Sequence, residues 1–405
     1  MRRPDVAVVD GAIRGALAIR HAALAALAGR APDAAGTAAL GTAPIEAWRL
    51  FLEAECCGAA LARGLRATVG LSTLPPAAAE LLCDRERRER QRILAALAEL
   101  RQVDAVAIAC GVEAIVLKGA AQVADGVPLD LGDVDLSVAP AARDRLADGM
   151  LARGYAPPPG VERVAPILGR GAARTFGAHL PPLATSGGIA VELHGADERD
   201  IDAAPPLAGY RALRRQPPAA ALRMQLHHVI VQHPYRQGHL RDIVSLAAEV
   251  ARCDASALAE VRAWVASEPR AAELASALDQ ACALAEGGPV HDPLATRRIV
   301  ARKYEIVAGR DRLLAAVWQR TVRLAYAPVM SPAVRRAVLR DTLRDDAVDH
   351  PMYRRLVRPI ARFPRVAALG ARLAARSFRL ALVLAVVAAG PALRRRVDRT
   401  LGARA

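Results

Sequence analysis

The sequence predicts an α+β fold, in which a small sheet is flanked by helical regions on both sides. An apolar run, residues 114–117, indicates a strand over 113–117, and residues 133–138 and 189–194 alternate between polar and apolar side chains, as half-buried strands do. Most of the remaining chain is rich in Ala, Leu and Arg and is broken by clusters of Pro or Gly, which is typical of helices joined by turns.

The chain has 405 residues, which is more than one compact domain of ordinary size contains. Hydrophobic residues make up 53% of it, which is ample for sizeable cores, but aromatic residues make up only 3%, so those cores must consist of Leu, Val and Ala. Changes in composition divide the chain into four predicted parts. These are an N-terminal helical region (1–110), a sheet-bearing core (111–215), a helical domain (216–294) and a basic helical region (295–405).

Helical periodicity is clearest in two stretches of the N-terminal region. Apolar residues recur every three or four positions over residues 45–69, which predicts one helix there. A second helix is predicted over Asp84–Cys110, with Gly111 as its C-cap. This helix begins with the charged run RERRERQR at residues 85–92, which we interpret as a solvated helix face.

The predicted core carries the acidic residues of greatest interest. Its expected elements are, in order, a strand over 113–117, a short helix over 119–125, a strand over 133–138, a helix over 141–153, a loop region over 157–188 with a short strand near 178–180, and a strand over 189–194. Because side chains alternate between the two faces of a strand, Asp133 and Asp135 share one face, while Val134, Leu136 and Val138 share the other and can enter a core.

The acidic residues of two predicted strands suggest a cation site. Two carboxylates as close as Asp133 and Asp135 repel each other unless a cation lies between them. Mg²⁺ takes oxygen ligands, often one or two carboxylates together with substrate phosphates. An isolated Asp-x-Asp is more often part of a polar turn. A third carboxylate, Glu192, follows on the last strand and favours the metal site, although the nearby His194 allows a structural hydrogen bond instead.

Lysine usage singles out one basic residue of the core. Lys118 is one of only two lysines among 56 basic residues, which suggests that its position needs a compact ammonium rather than a planar guanidinium; chance retention is the alternative. The histidines His227, His228, His233 and His239 lack the spacing of a zinc site, and so do the six scattered cysteines. No secretory signal is recognisable, and we expect a reduced, cytoplasmic protein.

The positive charge of the chain is concentrated in its C-terminal part. The net charge is +15, but residues 295–405 alone carry 25 basic and 7 acidic residues, a net +18. Such a region suits anionic partners. Its uncharged run, residues 380–393, would be a helix of about 21 Å, which is shorter than the roughly 30 Å hydrocarbon core of a membrane. We interpret this run either as a buried terminal helix or as an interfacial anchor that places the protein peripherally at the inner face of the membrane.

Short motifs stand in a definite order over roughly residues 85–250. They are Leu117-Lys118-Gly119, Gly132-Asp133-Val134-Asp135-Leu136, Leu151 with Gly154-Tyr155, His179-Leu180, Val191-Glu192-Leu193-His194, and His227-His228 followed by Leu240-Arg241-Asp242. Their order and spacing resemble a bacterial family of uncharacterised nucleotidyltransferases in the DNA polymerase β-like nucleotidyltransferase superfamily.

The resemblance implies a fold and a reaction. The fold would be a small mixed sheet of polymerase-β-like nucleotidyltransferase type with helical N- and C-terminal regions. The reaction would move a nucleoside monophosphate from an NTP to a hydroxyl acceptor on a small molecule, a saccharide or lipid intermediate, or a protein. Asp133, Asp135 and Glu192 would be the catalytic residues and would hold Mg²⁺, or Mn²⁺ in its place, while Lys118 and Gly119 would bind the nucleotide phosphates.

Two departures from the family pattern keep an alternative open. Relatives usually carry a small polar residue where this chain has Ala120, and they tend to carry an Arg shortly before the Asp-x-Asp, where this chain has residues 128–131, PLDL. Both changes remove phosphate contacts. The alternative is a non-catalytic scaffold or binding protein on the same fold, with residues 295–405 docking on an anionic membrane surface or, less favoured, on nucleic acid.

Overall fold

The computed structural model describes residues 6–156, 182–185, 188–195, 201, 203–233 and 236–308. The described chain is a mixed α+β protein that is mostly helical and contains a small open sheet of four strands. It divides into two compact units. The first comprises Met1–Gln232 with Arg236–Pro293, and the second comprises His233–Tyr235 with Leu294–Ala405.

The elements follow one another from helices to a short α/β region and back to helices. The helices are α1 (Val6–Leu27), α2 (Ala34–Thr42), α3 (Ile45–Glu55), α4 (Gly58–Thr68), α5 (Pro76–Cys110), α6 (Lys118–Ala124), α7 (Pro140–Ala152), α8 (Pro218–Leu226), α9 (Leu240–Val250), α10 (Ala255–Ser267), α11 (Ala271–Ala285) and, in the second unit, α12 (Leu294–Val307). A 3₁₀ turn covers Leu71–Thr73, and a π-helical segment, His227–Gln232, follows α8. The strands are β1 (Ala114–Val116), β2 (Asp133–Val138), β3 (Ala190–Gly195) and β4 (Leu213–Arg215).

The sheet has the strand order β3-β2-β1-β4. β2 pairs antiparallel with β1 and parallel with β3, and β4 pairs parallel with β1. The register of β2 and β3 sets Asp135 opposite Glu192 and Ser137 opposite His194. The predicted α+β class and three of the four predicted strands are therefore confirmed, whereas the polymerase-β-like type remains a prediction.

One face of this sheet packs into a hydrophobic core. Val134, Leu136 and Val138 of β2 are fully buried, as the alternation of the sequence predicts. Val191 and Leu193 continue the same face on β3. The side chains that cover this face from α5 and α7 are Ala96, Leu100, Val103, Val106, Leu146 and Met150. Burial of Leu and Val at roughly 1.5–3 kcal/mol each stabilises the sheet.

Two helix predictions differ from the structure. Residues 45–69 form two helices rather than one, because Cys56 adopts a left-handed conformation, with φ 49°, and ends α3. α5 begins at Pro76 instead of Asp84, since a proline at the first helical position lacks only an N–H that has no partner there in any case. Gly111, with φ 59°, caps the C-terminus of α5 as predicted.

The interpretation of residues 85–92 as a solvated helix face is wrong for its acidic members. Glu86 and Glu89 are buried, with relative exposures of 5% and 0%. Glu89 accepts hydrogen bonds from the backbone N–H groups of Gly58 and Ala59, the first residues of α4, at 3.1 and 2.7 Å. A charged run was expected to face water because ionised groups are costly to bury, but here each glutamate finds donors that offset this cost.

Several single segments remain to be compared with the predictions. β4 was not predicted, because three residues that include two arginines give no strand signal. The strand expected near residues 178–180 lies outside the described residues, as does the uncharged run 380–393. No helix in the described part of the chain combines the length and the apolar character needed to cross a membrane.

Candidate metal centre

Lys118 stands where β1 turns into α6. Its backbone φ is 51°, in the left-handed region that residues other than glycine seldom adopt. A hydrogen bond of 2.9 Å from the Leu117 N–H to the Asp135 carbonyl holds this turn against β2. Gly119 packs so tightly that a Cβ there would lie 2.5 Å from Leu131 Cδ2. The turn places the Lys118 ammonium 3.1 Å from Asp135 Oδ2.

The second part of the site comes from the paired strands β2 and β3. His194 Nε2 lies 2.7 Å from Asp135 Oδ1 and 3.8 Å from Glu192 Oε2. Asp135, Glu192 and His194 each offer one ligand atom, and these atoms all lie within 4.8 Å of one another. Within the described ranges, no other group of three or more His, Cys, Asp or Glu side chains meets this condition.

Asp135 is the electrostatic centre of the group. Burial disfavours its ionised form, but the hydrogen bond with His194 and the charge of Lys118 outweigh burial, so the pKa of Asp135 lies below its ordinary value. Both carboxylate oxygens of Asp135 thus have a cationic or hydrogen-bonding neighbour, which keeps the group ionised at neutral pH.

Asp133 lies on the same face of β2, but outside the three-residue ligand group. Burial, followed by repulsion from the charge of Asp135, raises the pKa of Asp133 above its ordinary value. Lys118, Arg241 and Arg236 oppose this rise without cancelling it. The ionised form of Asp133 is therefore disfavoured by burial and by Asp135, and a bound cation would favour it.

Basic residues reach the site from the start of α9. α9 is fixed beside α6 by buried hydrogen bonds, because Gln122 Nε2 donates to the Ser245 carbonyl at 2.8 Å and Ser245 Oγ donates to Gln122 Oε1 at 2.7 Å. Arg241, the second residue of α9, lowers the pKa of Asp133 by its charge. Its side chain makes no hydrogen bond or ion pair with a described residue, so its guanidinium is available to an anionic ligand.

His228 is part of a hydrogen-bonded group beside these cations. Arg236 forms a two-fold ion pair with the buried carboxylate of Asp242, and its Nη1 lies 3.2 Å from His228 Nε2. Burial, together with the charges of Lys118 and Arg236, lowers the pKa of His228 to about 4. The His228 ring is therefore neutral at pH 7 and can accept a hydrogen bond.

The structure brings together four of the five residues predicted for the site. Asp135, Glu192 and Lys118 meet around one carboxylate, and Gly119 lies in the same turn as Lys118. Asp133 is a neighbour whose part in metal binding stays a prediction.

Sequence reasoning did not assign His194, Arg236 or Arg241 to the site. The alternation of β3 already placed His194 on the face of Glu192, but its contact with Asp135 needed the strand register. Arg236 and Arg241 lie about a hundred residues from β2 along the chain, and local sequence patterns carry no signal for such a contact.

The ligand set can be tested against the chemistry of divalent cations. Two carboxylates and an imidazole are a suitable ligand set for Mn²⁺. They suit Mg²⁺ less well, because Mg²⁺ prefers oxygen ligands. His194 would have to exchange its hydrogen bond with Asp135 for coordination through Nε2. A bound cation would also favour the ionised form of Asp133, which burial and the charge of Asp135 disfavour. The residues thus fit a divalent cation, held by Asp135 and Glu192 with His194 or Asp133.

Comparison with known proteins identifies no family for this chain. No protein-family model matches the chain, and no similar curated protein or solved structure was found.

Proposed function

We propose that this protein is a divalent-metal-dependent nucleotidyltransferase that moves a nucleoside monophosphate from an NTP to a hydroxyl acceptor. One observation carries the proposal. The register of β2 and β3 sets the carboxylates of Asp135 and Glu192 side by side, directly below the strained turn that presents Lys118. Backbone held in a sparsely populated region is concentrated at functional sites, because only a surrounding structure that fixes it can maintain it.

The proposed step is an in-line displacement at the α-phosphorus of the NTP. The oxygen of the acceptor hydroxyl forms a bond to that phosphorus, the bond from the phosphorus to the β-phosphate oxygen breaks, and pyrophosphate leaves with the electron pair. The hydroxyl proton goes to the Glu192 carboxylate, which is half-buried at the edge of the site. A metal ion bound by Asp135, Glu192 and Asp133 would stabilise the negative charge that develops on the phosphoryl oxygens.

The basic side of the site supports the binding of a triphosphate. Lys118 supplies one positive charge at the turn, and Arg241 supplies a second from α9. The N–H groups at the start of α6, around Gly119, add hydrogen-bond donors. Arg241 can thereby supply the phosphate contact that is missing before Asp133 and at Ala120.

A non-catalytic role on the same fold is the second candidate, and two contacts of Asp135 favour it. Asp135 is already neutralised by Lys118 and His194, so its ionised form is stable in the absence of a metal ion. In a scaffold these three residues would form a structural ion-pair group that stabilises the sheet.

Calorimetric titration with each NTP, with and without Mg²⁺ or Mn²⁺, separates the two candidates. We expect metal-dependent binding of at least one NTP, weakened about tenfold or more in D135N and E192Q because each removes a charged ligand. The matched control is D279N, at an exposed carboxylate on α11, which should bind as the wild type does. Metal-dependent release of pyrophosphate, lost in D135N, would establish displacement at the α-phosphorus, and a nucleoside monophosphate bound covalently to the acceptor would establish transfer. Failure of every NTP to show metal-dependent binding would favour the scaffold.

A further inference from the structure

A groove lined by arginines lies between α4 and α5, in the N-terminal helical part of the first unit. Its volume is about 620 Å³, which is within the range of small-molecule sites. Its lining residues are Ala59, Arg63, Arg66, Ala67, Arg90 and Pro128. Three of these are cations with exposed side chains, the others are small and apolar, and none is acidic.

The excess of positive charge in the groove results from the burial of the neighbouring glutamates. Glu89 is directed inward and caps the first turn of α4. Glu86 lies beneath the groove with only 5% of its surface exposed. The run RERRERQR has acidic and basic residues in sequence, but in the fold Arg87, Arg88 and Arg90 are exposed to solvent while both glutamates are buried.

Glu86 also orders two of the three guanidinium groups. Arg66 binds it through both terminal nitrogens, at 2.8 and 2.6 Å, and Arg90 Nη2 lies 2.8 Å from Glu86 Oε1. Arg63 has no such partner among the described residues. The four side chains together carry a net charge of +2, and pre-ordered guanidiniums lose little conformational freedom when they bind a ligand.

The wall of the groove that Pro128 forms is anchored to α5. The Asp130 carboxylate accepts hydrogen bonds from Arg85 Nη2 at 2.9 Å and from Arg92 Nη1 at 2.8 Å. These ion pairs fix the connector between α6 and β2 against the helix. Pro128 precedes Asp133 by five residues, so their Cα atoms are at most about 18 Å apart. The groove is therefore close to the metal centre along the chain, although it shares no residue with it.

We propose that this groove binds the phosphate or diphosphate group of a small phosphorylated ligand. Arg63, Arg66 and Arg90 contribute N–H donors in the planar arrangement that matches phosphate oxygens. Ala59, Ala67 and Pro128 contact the less polar part of the ligand. This binding requires neither Asp135 nor a metal ion, so it is independent of nucleotidyl transfer.

Titration calorimetry with inorganic pyrophosphate in the presence of EDTA tests the proposal on the full chain. We expect R63Q/R90Q to weaken binding about tenfold or more, because it removes two of the three guanidiniums. The control R87Q/R88Q removes two exposed arginines of α5 that do not line the groove. The affinity of this variant for pyrophosphate should change less than about twofold. Thermal unfolding of each variant verifies that it folds, and should R63Q/R90Q not fold, the single variants R63Q and R90Q give the same test.

Four outcomes would overturn the proposal. The wild type could fail to bind pyrophosphate. R87Q/R88Q could lose as much affinity as R63Q/R90Q, which would mean attraction to a diffuse basic surface. R63Q/R90Q could bind pyrophosphate as tightly as the wild type does, which would place pyrophosphate outside the groove. A short single-stranded RNA could bind far more tightly than pyrophosphate and depend equally on both pairs of arginines, which would identify nucleic acid as the partner.

Discussion

At the scale of single residues, Lys118 links the strain of the backbone to the chemistry of the site. Its φ of 51° brings Cβ close to the following carbonyl oxygen, at a cost of roughly 1–2 kcal/mol for an L-residue other than Gly. The next residue, Gly119, could not carry a side chain without displacing Leu131. A lysine at this position directs its ammonium to Asp135, which a glycine in the same turn could not do.

Replacement of Lys118 by Gly and by Ala separates strain from charge. Both variants lose the ammonium and its ion pair, but only Ala keeps the Cβ that is strained at positive φ. We expect K118G to be more stable than K118A by about 1 kcal/mol in urea unfolding. The reverse order holds at an ordinary helical position, where Gly is the poorer residue by about 1 kcal/mol. K118A equal to or more stable than K118G would show that the turn carries no strain.

At the scale of elements, α5 determines where β4 lies. The Asp104 carboxylate accepts hydrogen bonds from three successive backbone N–H groups, at Arg211, Ala212 and Leu213, with distances of 2.7–3.2 Å. These bonds position β4 so that it pairs in parallel with β1. A single carboxylate on the helix thus fixes an edge strand whose own sequence has little strand propensity.

Loss of this carboxylate should loosen β4. We expect D104A to lower the free energy of unfolding by about 2–3 kcal/mol, because a nearly buried charged acceptor is removed and three N–H groups lose their partner. D104N retains one acceptor oxygen, so it should lower the free energy of unfolding by less than D104A does. D84A, at a more exposed position of the same helix, should stay within about 0.5 kcal/mol of the wild type. Hydrogen exchange at the Ala212 amide gives the local measurement, and unchanged protection in D104A would contradict this account.

The difference between β2 and β4 shows which parts of the fold the sequence could predict. β2 was predicted to the residue because its alternation is a local property, visible in Val134, Leu136 and Val138. β4 was missed because Asp104, about a hundred residues earlier, specifies it. The same reason explains why Asp135 and Glu192 could be proposed as partners from alternation on two strands, whereas Arg241 could not.

At the scale of the whole first unit, a buried polar network joins the sheet to the C-terminal helices. Arg215 on β4 and Glu249 on α9 are 5% and 3% exposed and lie 3.1 Å apart. Glu249 also accepts a hydrogen bond from Gln122 on α6 at 2.8 Å. Because α9 carries Arg241 toward the metal centre, this network determines how the basic residues approach the carboxylates.

A double-mutant cycle at Arg215 and Glu249 measures the coupling of these elements. R215M leaves the buried Glu249 with Arg252 as its ion-pair partner, and E249M leaves the buried Arg215 with Asp125, in both cases at 2.6 Å. Each single change should therefore cost roughly 1–3 kcal/mol of unfolding free energy. R215M/E249M removes both charges and should cost less than the sum of the single losses, by about 1–3 kcal/mol. The exposed pair Arg223 and Glu260 serves as the control cycle, for which a coupling of at most about 1 kcal/mol is expected. Additive losses at Arg215 and Glu249 would mean that this ion pair does not couple β4 to α9. In that case the place of Arg241 beside Asp133 would depend on the apolar contacts of α9 and on the hydrogen bonds between Gln122 and Ser245.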